Sequence, residues 1–322
     1  MNNALPYKTK QFFFVLIKLS IVVGTFYFIY NKLTTNKILD FSVFIDFLSK
    51  NNVFSIKNII FLLFFSFLNW FFEILKWKAL VVSIKKITFL EALKQSLGSL
   101  TASLFTPNRI GEYGAKAIYF FKTERKRILL LNLIGNMMQM GITLIFGIIG
   151  FILFINQYNV EINYFKISKG LILIAVILGL SAFGIKQNKY KIKGFSFEKI
   201  KSFITKLSIK IKVLGFVFSI IRYLVFSFQF YFLLQIFKID LLYFDAMVLI
   251  TSMYLLASII PSIFIFDVVV KGSIAVYLFS FANVNELTIL CITTIMWLLN
   301  FVLPSIFGSY YVLNFNFSKD ND

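Results

Sequence analysis

The chain has 322 residues, 59% of them hydrophobic, with 43 phenylalanines and a mean hydropathy of +0.84; soluble domains are about 45–50% apolar, so a water-soluble fold is excluded. Histidine is absent, which rules out histidine-dependent lipid phosphatases, membrane-bound O-acyltransferases and histidine-ligated metal sites, and the single Cys291 reads as a small core residue that forms no internal disulfide. The formal charge of +19 is spread over several loops, a pattern that fits cytoplasmic loops beside anionic headgroups, with no nucleic-acid surface and no cofactor implied.

Residues 11–30 form an apolar run behind Lys8 and Lys10. It is long enough to span and lacks a small-x-small cleavage site, with a cleaved signal peptide as the alternative. Further spans are predicted at 58–80, 128–155, 168–186, 212–236 and 286–314. Between them, 90–121 and 243–281 are apolar but broken near the middle by proline and polar residues. That shape predicts a hairpin of two short helices, re-entrant or just crossing, whose break is buried in protein or faces water. Phe197, Ile200, Phe203, Ile204, Leu207 and Ile211 recur at helical spacing beside several lysines. They read either as a helix in the headgroup layer or as a connecting helix packed on the bundle.

Cations orient the spans. The lysine-rich loop 186–212 and the run Lys122 to Arg127 are assigned to the cytoplasm, together with the N-terminus and the C-terminus. The loops near 156–167, 237–242 and 282–286 fall outside, as does 31–57, an ordinary loop carrying Asp40 and Asp46. Hairpin 90–121 then enters from the cytoplasm and hairpin 243–281 from outside. The expected architecture is an all-α, polytopic membrane helix bundle, one domain over 1–322. It contains about six full spans and two inverted repeats, 58–155 and 212–314, each with a proline-broken hairpin.

The repeats share a spacing. Glu91-Ala92-Leu93 precedes Pro107 as Asp245-Ala246-Met247 precedes Pro261, with 16 positions from acid to proline in each. Glu112 and Lys116 then follow in the first copy, Asp267 and Lys271 in the second, four apart in both. Pro107 can end one helix and begin the next, whose first N–H groups would cradle an anion near Gly111. Arg109 adds a planar fork suited to phosphate. Glu112 and Lys116 share a helical face, unless both are simply solvated at the cytoplasmic surface. Asp267 and Lys271 form either an outer gate or a buried pair that only fixes packing.

A third cluster lies in span 58–80: Asn69, Trp70, Glu73, Lys76 and Trp77. Asn69 and Glu73 share a face, and an acid inside an apolar helix suits ion or proton coupling. Lys76, Trp77 and Lys78 read as an interfacial anchor. Arg222, in span 212–236, is expected to face Glu73 or a lipid phosphate.

The Pro-x-Arg-x-Gly-Glu core at 107–112, the Glu91-Ala92 lead-in and the Pro261 element resemble the flippase-like transmembrane region of the lysylphosphatidylglycerol synthase family, over about residues 10–315. The second element departs from the family's Gly-Glu-rich form, having Phe264-Ile265-Phe266-Asp267. The resemblance implies a lipid-handling membrane domain without the soluble aminoacyl-transfer domain. The leading expectation is therefore a transporter, not an enzyme, that moves a phosphate-bearing lipid between leaflets of a bacterial inner membrane. The alternatives are a non-catalytic membrane partner of an envelope-biosynthesis enzyme and an integral-membrane glycosyl- or phosphotransferase.

Overall fold

A computed structural model describes residues 16–20, 23, 24, 27, 30, 41–51, 53, 55–104, 106, 110–160, 197–259 and 267–315. The predicted span 168–186, the lysines at 186–193 and the site residues Pro107, Arg109 and Pro261 lie outside the described residues.

The helices, in order, are α1 (Phe41–Lys50), α2 (Ile56–Val81), α3 (Phe89–Ser103), α4 (Gly111–Ala117), α5 (Arg125–Gln157), α6 (Phe197–Lys206), α7 (Ile209–Ile236), α8 (Tyr243–Ile259), α9 (Asp267–Ser280), α10 (Glu286–Trp297) and α11 (Leu303–Leu313). A π-helical turn at Leu298–Val302 joins α10 to α11. No strand occurs among the described residues.

Short polar side chains set the helix starts. Ser55, Ser208 and Asn285 each accept a hydrogen bond from a backbone N–H in the following turn. At α3, Thr88 and Glu91 bond reciprocally to each other's backbone N–H, closing a capping box. Asp245 sits in the first turn of α8 and accepts from Gln157 Nε2 at 2.9 Å. The two acids that lead the repeated pattern thus both open helices.

Four continuous helical stretches are long and apolar enough to cross a membrane: Ile56–Val81, Arg125–Gln157, Ile209–Ile236 and Glu286–Leu313. Each matches a predicted span to within a few residues, so the chain is an integral membrane protein. The apolar stretch of the last span is 61% buried, against 22–33% for the other three, so α10–α11 runs through the middle of the bundle. The outer faces of the others, with Phe64 and Phe67 on α2 and Ile145, Ile149 and Ile152 on α5, are exposed apolar surface of the kind acyl chains cover.

Small residues permit the closest approaches. A Cβ at Gly150 of α5 would collide with Thr251 of α8, and one at Gly308 of α11 with Thr101 and the Leu97 carbonyl of α3. Thr101 Oγ1 donates to the Ser305 carbonyl at 2.9 Å across that second contact.

The two ends of the bundle differ in charge. One holds Ile128, Leu131, Leu80 and Leu207 in a single apolar cluster, flanked by Lys85, Lys86, Arg125, Lys126, Arg127, Lys206 and Lys210. The other is closed by the Phe47–Phe237 stack and by Phe154 against Phe281, and is mixed in charge, with Asp46, Asp240, Asp245 and Glu286 beside Lys50, Lys57 and Lys238.

Two expectations need correction. The stretch 41–50 is a helix rather than a loop, and its Asp46 pairs with Lys50 at 2.6 Å on the surface. Phe203, Ile204 and Leu207 pack on the apolar cluster at the basic end. The bundle covers this apolar stripe, so the connecting-helix alternative applies to these residues.

Candidate functional site

Polar residues at helical spacing on separate spans meet inside the bundle. On α2, Asn69, Glu73 and Lys76 fall on one face and are all buried. Arg222 stands 13 residues from the start of α7 and 14 from its end, at the middle of a helix long and apolar enough to cross a membrane. Its Nη1 donates to Glu73 at 2.5 Å and its Nε to Asn69 Oδ1 at 2.9 Å. Lys76 Nζ bonds the same Glu73 oxygen at 2.7 Å. Insertion of one charge at mid-membrane costs about 2.5–3.5 kcal/mol, so mutual pairing is what makes this trio tolerable.

The network continues in one direction. Asn69 Nδ2 donates to Asn300 Oδ1 (2.7 Å), Asn300 Nδ2 to Gln229 Oε1 (2.9 Å), and Gln229 Nε2 to the Leu62 carbonyl (3.0 Å). Each amide accepts on oxygen and donates from nitrogen, so the bonds reinforce one another. Asn300 can reach this position because α10 and α11 are joined by a π turn. Pro304 has no N–H to return to the Asn300 carbonyl four residues back. That carbonyl accepts instead from the Trp70 indole at 2.9 Å, and the Leu299 carbonyl from Ser66 at 2.5 Å.

A second buried group sits nearer the basic end. Lys116 Nζ donates to Glu112 Oε1 at 2.7 Å and to Asn132 Oδ1 at 2.9 Å, and lies 4.4 Å from the centre of the Trp77 ring. The Trp77 indole in turn donates to Gln95 at 2.8 Å. With Glu73, Lys76 and Arg222, these side chains bring three cations and two acids into the interior, a net charge of +1.

Two cavities flank Arg222. A polar one of about 40 Å³ is lined by Trp70, Glu73, Ser96, Glu112, Lys116, Asn136 and Arg222, and so bridges the two charged groups. A larger one of about 410 Å³ is walled by Trp70, Tyr223, Phe226, Phe230, Tyr254, Trp297 and Phe301, with Asn69, Arg222, Ser258 and Lys271 adding polar groups. Trp70 and Arg222 border both.

The predicted residues therefore divide. Asn69, Glu73, Glu112, Lys116 and Arg222 converge on the small cavity or its edge, and Lys271 lines the large one. Glu112 and Lys116 are buried, not solvated. Lys76 and Trp77 are buried too, at 2% and 1% exposure, so they are parts of the charged interior rather than an interfacial anchor. The helix after Pro107 starts at Gly111 and is seven residues long. The Gly111 N–H donates to Thr106 Oγ1 at 3.0 Å; the residues between Thr106 and Ile110, with Arg109, lie outside the described residues. Asp267 begins α9.

Sequence reasoning missed Asn300, Gln229, Gln139 and Asn132. A signal was present: Asn132, Asn136 and Gln139 share a face of an apolar helix, and Asn300 stands four before Pro304. Among the described residues, no cluster of three or more cysteines and acids could hold a metal ion.

No protein-family model, curated protein or solved structure matches the chain.

Proposed function

We propose that the chain moves a phosphate-bearing lipid between the leaflets of a membrane, through a centre formed where two inverted repeats meet. The observation that carries this reading is the cavity of about 410 Å³ at mid-span, which combines the Arg222 and Lys271 cations with apolar and aromatic walls. Cations suit the phosphate and the walls suit the attached lipid. Glu112 and Lys116 from the first repeat and Lys271 from the second border cavities that share Arg222, an arrangement suited to a site reached from either side. The resemblance of residues 107–112 to the flippase-like region of the lysylphosphatidylglycerol synthase family argues in the same direction.

The cation-rich end would face the cytoplasm, in a bacterial inner membrane. Both buried acids are engaged by cations, which favours transport over transfer chemistry needing a free carboxylate pair.

The test is leaflet exchange of a fluorescent phosphatidylglycerol in proteoliposomes, followed by quenching from outside. Wild-type protein should accelerate exchange over protein-free vesicles. Lys271→Ala should slow it about tenfold or more, the scale of one charge-assisted hydrogen bond, and Asp46→Asn should leave it unchanged. Exchange no faster than in protein-free vesicles for any phosphate-bearing lipid would overturn the proposal.

A further inference from the structure

Resting on the reading of the large cavity as the lipid site, we infer that Gln229, which lines neither cavity, is a positioning residue for phosphate recognition. It acts through Asn300 and Asn69 on the Arg222 guanidinium. Gln229 is fully buried and stands two turns along α7 from Arg222. Its Nε2 donates to the Leu62 carbonyl, a group that can only accept, so its oxygen is turned to Asn300. Asn300 Nδ2 donates to that oxygen and, at 3.0 Å, to the Met296 carbonyl, a second group that can only accept. Asn300 therefore presents its oxygen to Asn69, and Asn69 presents its own to Arg222. Two backbone carbonyls thus dictate, through three amides, that an acceptor meets the Arg222 Nε–H. A guanidinium only donates, so both ends of the relay impose the same sense.

The result at Arg222 is a fixed fork. Asn69 holds Nε, while Glu73 and, at 3.4 Å, Gln139 hold Nη1. Nη2 makes no hydrogen bond among the described residues, and Arg222 lines the large cavity. Nη2 is thus the donor that remains for a phosphate oxygen. A planar fork recognises an oxyanion best when its orientation is set before the ligand arrives. Glu73 attracts the cation from many angles, whereas the directed bond from Nε to Asn69 fixes the plane. Asn300 contributes twice, because its own carbonyl holds the indole of Trp70, the cavity-wall residue next to Asn69. Apolar side chains at these buried positions would pack the helices at little cost. What the three amides add is the direction they hand to Arg222.

The test compares phosphatidylglycerol with diacylglycerol, which lacks the phosphate, in binding to the purified full-length protein in neutral detergent by native mass spectrometry. Gln229→Met keeps the side-chain length and removes the amide. It should cut the preference for phosphatidylglycerol about fivefold, the scale of one net hydrogen bond, and leave diacylglycerol binding unchanged. In an Arg222→Gln background the same substitution should change the preference no further. An unchanged preference, an equal loss for both lipids, or an effect that persists without Arg222 would each overturn the inference. If a variant fails to fold, the wild type decides through the Arg222 guanidinium signals in 15N-arginine-labelled protein. A slowly exchanging Nε–H and separate Nη signals, with Nη2 shifting on addition of phosphatidylglycerol, are expected. A single averaged Nη signal would overturn the inference. The expected dependence on Gln229 and Arg222 without any leaflet exchange would overturn the transport reading and leave this one standing. Leaflet exchange as selective for phosphate in Gln229→Met as in wild type would do the reverse.

Discussion

Arg222 reaches Glu73 across the interface of α2 and α7 at 2.5 Å, while Lys76, one turn along α2, holds the same carboxylate oxygen at 2.7 Å. One acid thus offsets two cations in a buried setting. Removing it should hurt more than removing either cation. Glu73→Gln is expected to destabilise the protein by about 3–5 kcal/mol, the cost of leaving buried charge uncompensated. Adding Arg222→Gln to that variant should restore part of the loss. A double-mutant cycle on thermal melting in detergent checks this, and additive losses would contradict the pairing.

Trp77 is tied at both its nitrogen and its ring. Its indole N–H donates to Gln95 and its face receives Lys116. Trp77→Phe keeps an aromatic face but strands the buried Gln95 carbonyl, at a cost of about 1–3 kcal/mol. Melting of the purified variant measures it, with the exposed pair variant Lys50→Ala as a control expected to lose under about 1 kcal/mol.

Gly150 lets α5 and α8 touch. A side chain there meets Thr251, so Gly150→Val should cost about 1–3 kcal/mol through overpacking. Gly114, with no atom within 4 Å of a Cβ position, has no such conflict, and Gly114→Ala should be close to neutral by the same measurement.

The Thr88–Glu91 capping box predicts a pH effect. The Thr88 N–H and hydroxyl donate to the Glu91 carboxylate, holding its pKa below the usual carboxylate range. A pKa depressed by folding contributes stability above the unfolded value, about 4.3, and loses it as pH falls through the folded value. Wild-type protein should therefore out-melt Glu91→Gln at neutral pH, with the difference fading below about pH 4. A difference that persists or grows in acid would contradict the capping role.

Four spans were legible because length and apolar composition fix them almost alone, and Glu73 with Arg222 was legible because isolated charges in apolar helices need partners. The rest depended on tertiary contacts. Whether Lys76 and Trp77 face headgroups or the interior is set by α5, whose Asn132 receives Lys116 over the Trp77 ring. Asn300 was marked in the sequence by its place four residues before Pro304, but its partners Trp70, Asn69 and Gln229 depend on the packing of separate helices. The helix restart after Pro107 was legible from the proline, with Gly111 as its first residue and the Gly111 N–H donating to Thr106.

The most direct measurement of the central claim is thiol labelling of Lys271→Cys in a Cys291→Ser background, in oriented vesicles, with impermeant reagents added from each side in turn. The account predicts labelling from both sides, reduced by phosphatidylglycerol that occupies the cavity. Labelling from one side only, or labelling that lipid does not slow, would contradict an alternately open lipid site at Lys271.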